Sequence, residues 1–356
     1  MTVTPSVPLA RRSTLSSSLG LGERLFASSD ERRFVVAIEE GLDTVEAGLL
    51  DQMRFADDIA DVTSRYLLEA GGKRVRPVLT LLAAQLGEGN NNDVILAAQA
   101  IEITHVASLY HDDVMDDAPS RRGVPSAQSV WGNSVAILTG DLLFARGSKI
   151  GAKLGERALV LQTETFERLC LGQLHETIGP REDEDAIQHY IQVLADKTGS
   201  LISAAAQMGV IFSNAPQEYL EPIATFGEKI GVAFQLIDDV IDLAAEMDDT
   251  GKTPGTDLRA GVATLPLLYL RRRALTDPAA HELLVRIERD VTSAGADEED
   301  IRAAIAELRE HPVTAETIVE AHRWSNEAVA ALAPLPEGPV KKALTRFAEQ
   351  IVDRSK

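Results

Sequence analysis

The stretch Val94–Asp113, VILAAQAIEITHVASLYHDD, sets the tightest limit on how this chain can fold. Its apolar residues recur at helical spacing without being confined to one stripe. A helix that is apolar on most sides has to be enclosed by other helices. The surrounding sequence agrees, because its apolar residues are mostly Ala, Leu, Val and Ile and only 4% of the chain is aromatic. Ala and Leu favour helix, and no sustained period-2 alternation bounded by turn residues occurs. The expected class is all-α, a single large helical bundle.

Periodicity and punctuation predict helices over 32–50 and 51–70, the second stopped by Gly71-Gly72, and over 77–86, broken by the loop Gly87–Asn92. The apolar helix starts near Asp93, and others cover 134–151, 158–178, 185–208 and 218–246. From Leu265 onward the helices are shorter. No stretch divides two cores and no repeat of solenoid period occurs. A flexible leader over 1–31, rich in Ser, Pro and Gly, and one domain over 32–356 are therefore expected. The acidic runs Arg181–Asp185 and Asp297–Asp300 read as solvated helix starts, where the dipole favours negative charge.

The net charge of −20 argues against a nucleic-acid footprint and against polybasic attraction to anionic lipid. No apolar run reaches the roughly 20 residues of a membrane span, and the start carries no long apolar signal segment. Cys170 is the single cysteine, which excludes an internal disulfide and a thiolate cluster. It is expected to be a small buried hydrophobe, and a reducing cytoplasm fits.

At the end of the apolar stretch and just beyond it, Asp112, Asp113, Asp116 and Asp117 crowd together. Two explanations are open: a solvated acidic helix end, or a cation site. On a helix Asp112 and Asp116 share one face, with Asp113 beside them and Asp117 continuing the row from Asp113. The spacing D-D-x-x-D returns at Asp238, Asp239 and Asp242, between Leu236, Ile237, Val240 and Leu243. Burying several unpaired carboxylates is prohibitively costly, so two such triplets on apolar helices call for a cation. All-oxygen donors without His or Cys suit Mg²⁺, Mn²⁺ or Ca²⁺ and not Zn²⁺. Mg²⁺ takes one or two carboxylates together with substrate phosphates. Cations stand near the triplets: Lys73, Arg74 and Arg76 in GGKRVRP, Arg121 and Arg122, Lys197 in DKTGSL and Lys252 in TGKTPGTDL. Carboxylates, Mg²⁺ and arginines together point to a diphosphate site.

These motifs, in this order, resemble those of the trans-isoprenyl diphosphate synthases (polyprenyl synthetases), over nearly all of the chain from about Arg33 to Phe347. The resemblance implies one all-α bundle around a deep central cavity, with the two acidic motifs facing each other across it, usually as a homodimer. It implies that Asp112, Asp113 and Asp116, with Asp238, Asp239 and Asp242, hold Mg²⁺ against the diphosphate of an allylic substrate. Arg121, Lys197 and Lys252 match contacts to that diphosphate, and Lys73, Arg76, His105 and Arg122 match the isopentenyl diphosphate pocket. Thr198 and Gln235 match polar groups near the reacting carbon. A lone His on an apolar helix is more often a core residue, and His111 is read that way. The family's GKPxGxDLxEGKxTLP is here GKTPGTDLRAGVATLP, with Ala260 and Val262 in place of Glu and Lys.

In short-chain members of that family a bulky aromatic closes the product channel near the positions of Ala107 and Ser108. Small residues here leave it open, which implies a long product, hexaprenyl to nonaprenyl, as for a quinone side chain; Tyr110 could intrude. The other readings are a shorter-chain synthase, a non-catalytic partner subunit, a terpene cyclase and a Ca²⁺-binding scaffold. A cyclase would carry a different second motif, and a non-catalytic subunit would have lost aspartates, whereas all six are present.

Overall fold

A computed structural model describes residues 29–244, 254–291 and 297–354. The expected leader lies outside the described residues except for its last three positions, which open α1 (Ser29–Gln52). The all-α class is borne out: helices carry most of the described chain. It divides into two compact units. One runs through Glu167 and adds Leu201–Ala224 and Leu332–Phe347; the other holds Arg168–Ser200, Thr225–Ala331 and Ala348 onward.

In the first unit the break between the first two helices falls later than expected, because α2 starts only at Asp58 (Asp58–Glu69). Asp57 caps it, accepting from the amides of Ile59 and Ala60, and so fixes its start. After Gly71-Gly72 come α3 (Val75–Ala84) and α4 (Asn92–Met115), the apolar helix. Asn91 caps α4 through the Val94 amide. As its composition requires, α4 is buried on every side, from Val94 through Ile101 and Val106 to Tyr110. It packs against α1, α3 and above all α6 (Asn133–Leu154). Close approach of α6 depends on Gly140, where a Cβ would lie 2.3 Å from the His111 ring. α9 (Ser200–Phe212) seats on α3, with the Thr80 hydroxyl donating to the Ala205 carbonyl at 2.8 Å.

A small hairpin was not expected. β1 (Ser120–Arg121) pairs antiparallel with β2 (Val124–Pro125) through Arg122 and Gly123, whose φ angles are 54° and 76°. Positive φ at both central residues is the two-residue turn that matches strand twist. Strands of two residues are too short to leave a periodic trace. The short α5 (Ala127–Trp131) leads into α6.

In the second unit, the later part of α7 (Glu156–Ile178) is followed by α8 (Ala186–Leu194), a π-helical turn (Ala195–Gly199) and, past α9, by α10 (Leu220–Ala244). The single helix expected over 185–208 is present but carries this π turn as a bulge within it. Then come α11 (Thr256–Arg259), α12 (Leu265–Ala274), α13 (Pro278–Arg286), α14 (Glu298–Glu310) and α15 (Pro312–Ala331), closed by α16 (Pro339–Asp353), most of which belongs to the first unit. Leu258, Leu270, Leu283, Ile305 and Leu308 form the core under α11 to α14. Both acidic runs end as helix caps, Asp185 on α8 and Asp297 on α14. Cys170 is exposed, contrary to expectation. Leu169 is the inward residue of that turn of α7, and a step of about 100° carries Cys170 to the outer side.

Candidate functional site

In the first unit α4 delivers Asp112 and Asp113 from its last turn, and Asp116 is its C-cap. Asp117 does not extend the row: it stands past the helix end with φ 47°. Carboxylates stacked at i, i+4 oppose a helix, and here the helix stops before the second pair forms. Asp113 is fully buried. Its Oδ1 accepts from Nε and Nη2 of Arg121, both at 2.7 Å, while Oδ2 is buried without a hydrogen-bond partner. Burial pushes this carboxyl above its usual range, against the pull of Arg121. A buried carboxylate oxygen with no partner is costly, and a hard cation is the partner its chemistry suits. Among the described residues no three Asp, Glu, His or Cys side chains converge on one point. Such a donor set fits an ion that completes its shell with phosphate oxygens and water.

Two turns back along α4 the sign of the site reverses. His105 is surrounded by Arg76, Arg122, Arg74 and Arg121, and burial together with these charges holds its imidazole neutral, well below its ordinary range. Burial brings the Arg122 guanidinium down to about 10. Burial also lowers Arg76, opposed by Glu102 and Asp112, and its Nε is buried without a partner. Arg122 donates to the Leu67 carbonyl at 2.6 Å. Lys73 is exposed beside this group. Desolvated guanidiniums that repel one another form a site that an anion would relieve.

Arg74 belongs to the scaffold of this pocket. It caps α3 from a left-handed conformation, φ 51°, and is 5% exposed. Its Nε meets Glu46 at 2.6 Å and its Nη1 meets Glu102 at 3.3 Å. Further bonds reach the carbonyls of Gly71 and Leu68 at 3.2 and 3.1 Å. Two carboxylates are thereby held by Arg74, which leaves Arg76 and Arg122 less compensated. The resemblance set Arg76 apart from Arg74, but residue chemistry alone did not.

In the second unit Lys197 and Thr198 occupy the π turn, a deviation that often marks functional positions. The turn is pressed against α10 at Gly199 and Gly231. A Cβ on Gly231 would lie 2.5 Å from the Gly199 Cα and 3.3 Å from the Thr198 carbonyl carbon. Gln235 follows one turn later on α10, and the second aspartate triplet after it. Arg168 ties the same two elements, with Nε on Asp196 at 2.8 Å and Nη1 on Glu228 at 2.7 Å. Lys197 is paired with Glu176.

The three aspartates of the second triplet stand in different surroundings. Asp238 is 39% exposed and lies 3.6 Å from Arg354. Asp239 is 5% exposed, and burial pushes its carboxyl up to about 8 despite the Tyr190 hydroxyl. Asp242 accepts backbone N–H groups on both oxygens, from Thr256 at 3.2 Å and Asp257 at 3.1 Å, and so fixes the start of α11. Lys252 lies outside the described residues. Sequence reasoning had singled out neither Tyr190 nor Glu176, Arg168 or Glu102. Only position could have pointed to Tyr190, two helical turns before Lys197 on the same continuous run.

Comparison with known proteins gives a consistent result. The sequence profile of the family described as Polyprenyl synthetase matches residues 57–308. Nonaprenyl diphosphate synthase of Mycobacterium tuberculosis is 40% identical over 342 residues, 96% of this chain and 98% of that protein. Among solved structures, geranylgeranyl pyrophosphate synthase from Corynebacterium glutamicum, complexed with calcium and isoprenyl diphosphate, is 38% identical with a TM-score of 0.79, covering 92% of this chain and 98% of that one. Decaprenyl diphosphate synthase from Rhodobacter capsulatus is 31% identical with a TM-score of 0.80, covering 92% and 99%.

Proposed function

The chain belongs to the polyprenyl synthetase family, and from that premise we propose that it condenses isopentenyl diphosphate with an allylic diphosphate to give an all-trans long-chain polyprenyl diphosphate. It is a prenyltransferase, and hexaprenyl to nonaprenyl is the product range proposed. One observation carries the reading: α4 presents two sites of opposite charge. The carboxylates at Asp112 and Asp113 suit a metal-borne diphosphate, and two turns away, about 10 Å along the axis, half-buried guanidiniums surround a neutral His105. A reaction between two diphosphates needs one held for departure and one held intact.

Mg²⁺ held by Asp112, Asp113, Asp116 and the second triplet would supply electrophilic assistance to the departing diphosphate. Arg121, Lys197 and Lys252 neutralise the charge that builds on that leaving group as the allylic C–O bond breaks with its electron pair. Lys73, Arg76, Arg122 and His105 hold the second diphosphate so that its double bond reaches the carbocation. The new C–C bond forms from those π electrons, and the proton released passes to the departed diphosphate. Thr198 and Gln235, from the π turn and α10, line the reacting carbon. No side-chain nucleophile takes part.

A homodimer is part of the proposal. On α6 Ile137 and Leu138 are 41% and 61% exposed, and on α7 Leu171, Leu174 and Ile178 form an exposed stripe at i, i+3 and i+7. Apolar faces of this kind are covered by partners. No helix among the described residues is long and apolar enough to cross a membrane, and a cytoplasmic setting is proposed with the rest. The test is incubation with Mg²⁺, radiolabelled isopentenyl diphosphate and farnesyl diphosphate. The expected result is label in all-trans products of hexaprenyl length or longer, lost on chelation. Absence of any lengthened product would overturn the reading.

A further inference from the structure

Asp239 is a buried carboxylate whose two hydrogen bonds fall on one oxygen. The Tyr190 hydroxyl donates to Oδ2 at 2.7 Å, and the Leu265 amide, at the start of α12, approaches the same Oδ2 at 3.4 Å. The contrast with Asp242 is informative, since backbone amides there take both oxygens. The outer torsion of an aspartate is broad and roughly two-fold, so a carboxylate without such partners presents either oxygen. Donors from α8 and α12 on one oxygen remove that freedom.

We propose that Tyr190 is a positioning residue for the second aspartate motif: by holding Oδ2 of Asp239 it presents Oδ1 to the metal-borne diphosphate. The inference rests on the reading of this motif as a metal–diphosphate site and adds to it a residue that touches neither metal nor substrate. The geometry has a second consequence. Tyr190 lies on α8 two turns before Lys197, and Asp239 lies on α10 two turns beyond Gly231. The Tyr190–Asp239 bond and the Gly199–Gly231 contact therefore tie one antiparallel pair of elements on either side of Lys197 and Thr198. The hydroxyl thus sets both the rotation of Asp239 and the register of the turn that bears the cation.

Tyr190→Phe tests this, because it removes one oxygen and keeps the ring. The readout is equilibrium binding of Mn²⁺ in the presence of inorganic diphosphate, followed by the electron paramagnetic resonance of the free ion. Loss of a group that orients a metal ligand weakens metal affinity by about 10- to 100-fold. At least a tenfold weakening is expected, with the far-UV circular dichroism unchanged. The Mg²⁺ concentration for half-maximal synthesis should rise by a similar factor, and kcat should recover at saturating Mg²⁺. A purely structural tyrosine would lower the melting temperature and leave Mn²⁺ affinity alone, and that result overturns the inference. Asp238→Asn separates the two ideas. If it binds Mn²⁺ as wild type does, the reading of the motif fails and the inference falls with it. If Asp238→Asn is impaired while Tyr190→Phe is not, only the role of Tyr190 falls.

Discussion

Asp113→Asn is expected to lower kcat by two to three orders of magnitude while the purified protein remains folded. Removing a single preorganised group that stabilises developing charge costs on the order of 10² to 10³ in turnover. Asp113 is more than one such group. Its Oδ1 holds Arg121, and its orphaned Oδ2 is the oxygen best suited to a cation. Asparagine keeps the shape, cannot neutralise a metal ion, and releases Arg121 from its post. The unfolding free energy should change little by comparison, because the Arg121 guanidinium left without its partner is one-third exposed and open to water. Asp117→Asn is the matched control, since Asp117 is exposed beyond the helix end and its loss should alter kcat only a few-fold. Steady-state assays with both variants decide the matter. A kcat for Asp113→Asn within tenfold of wild type would remove this carboxylate from the reaction.

The second large effect concerns what is made. Ala107→Phe should shift the product from hexaprenyl or longer to geranylgeranyl or shorter, with initial condensation retained. Ala107 is fully buried on α4 one turn before the aspartates, and Ser108, Thr104 and Ile101 near it are also buried. Tyr110 had threatened to occupy the same space. Its hydroxyl instead bonds the Thr63 carbonyl and lies 3.3 Å from the Leu67 amide, which turns the ring toward α2. A phenyl ring at 107 must therefore take volume that small residues leave, at an overpacking cost of about 1–3 kcal/mol. Chain length is read by reversed-phase chromatography of the dephosphorylated products. An unchanged product from an active Ala107→Phe enzyme would separate this position from the channel.

Much of this arrangement could be read from residues alone, for identifiable reasons. α4 was legible because a helix apolar all round has one solution, and the aspartates because unpaired carboxylates on such helices need a cation. The caps at Asp185 and Asp297 followed from local chemistry. The π turn did not, since the apolar period runs on through 185–208 and only the tertiary approach of Gly199 to Gly231 shows the extra residue. The burial of Arg74 was equally hidden. Its side chain is chemically the same as that of Arg76, and only the fold brings Glu46 and Glu102 to it. Asp117 was misread because sequence spacing cannot tell where a helix stops.

The partial burial of Arg76 and Arg122 bears on how ionic strength should act. A chain of net charge −20 repels diphosphates at long range, and salt screens that repulsion over a Debye length of about 8 Å at physiological strength. Partly buried charges are screened less. Moderate added salt should therefore lift the barrier to approach while sparing the final contacts. Measured against KCl, kcat/KM for isopentenyl diphosphate is expected to rise or hold level, the reverse of an anion site built from surface lysines. This enzyme would then hold its substrates by half-sheltered arginines at close range and not by the reach of its field.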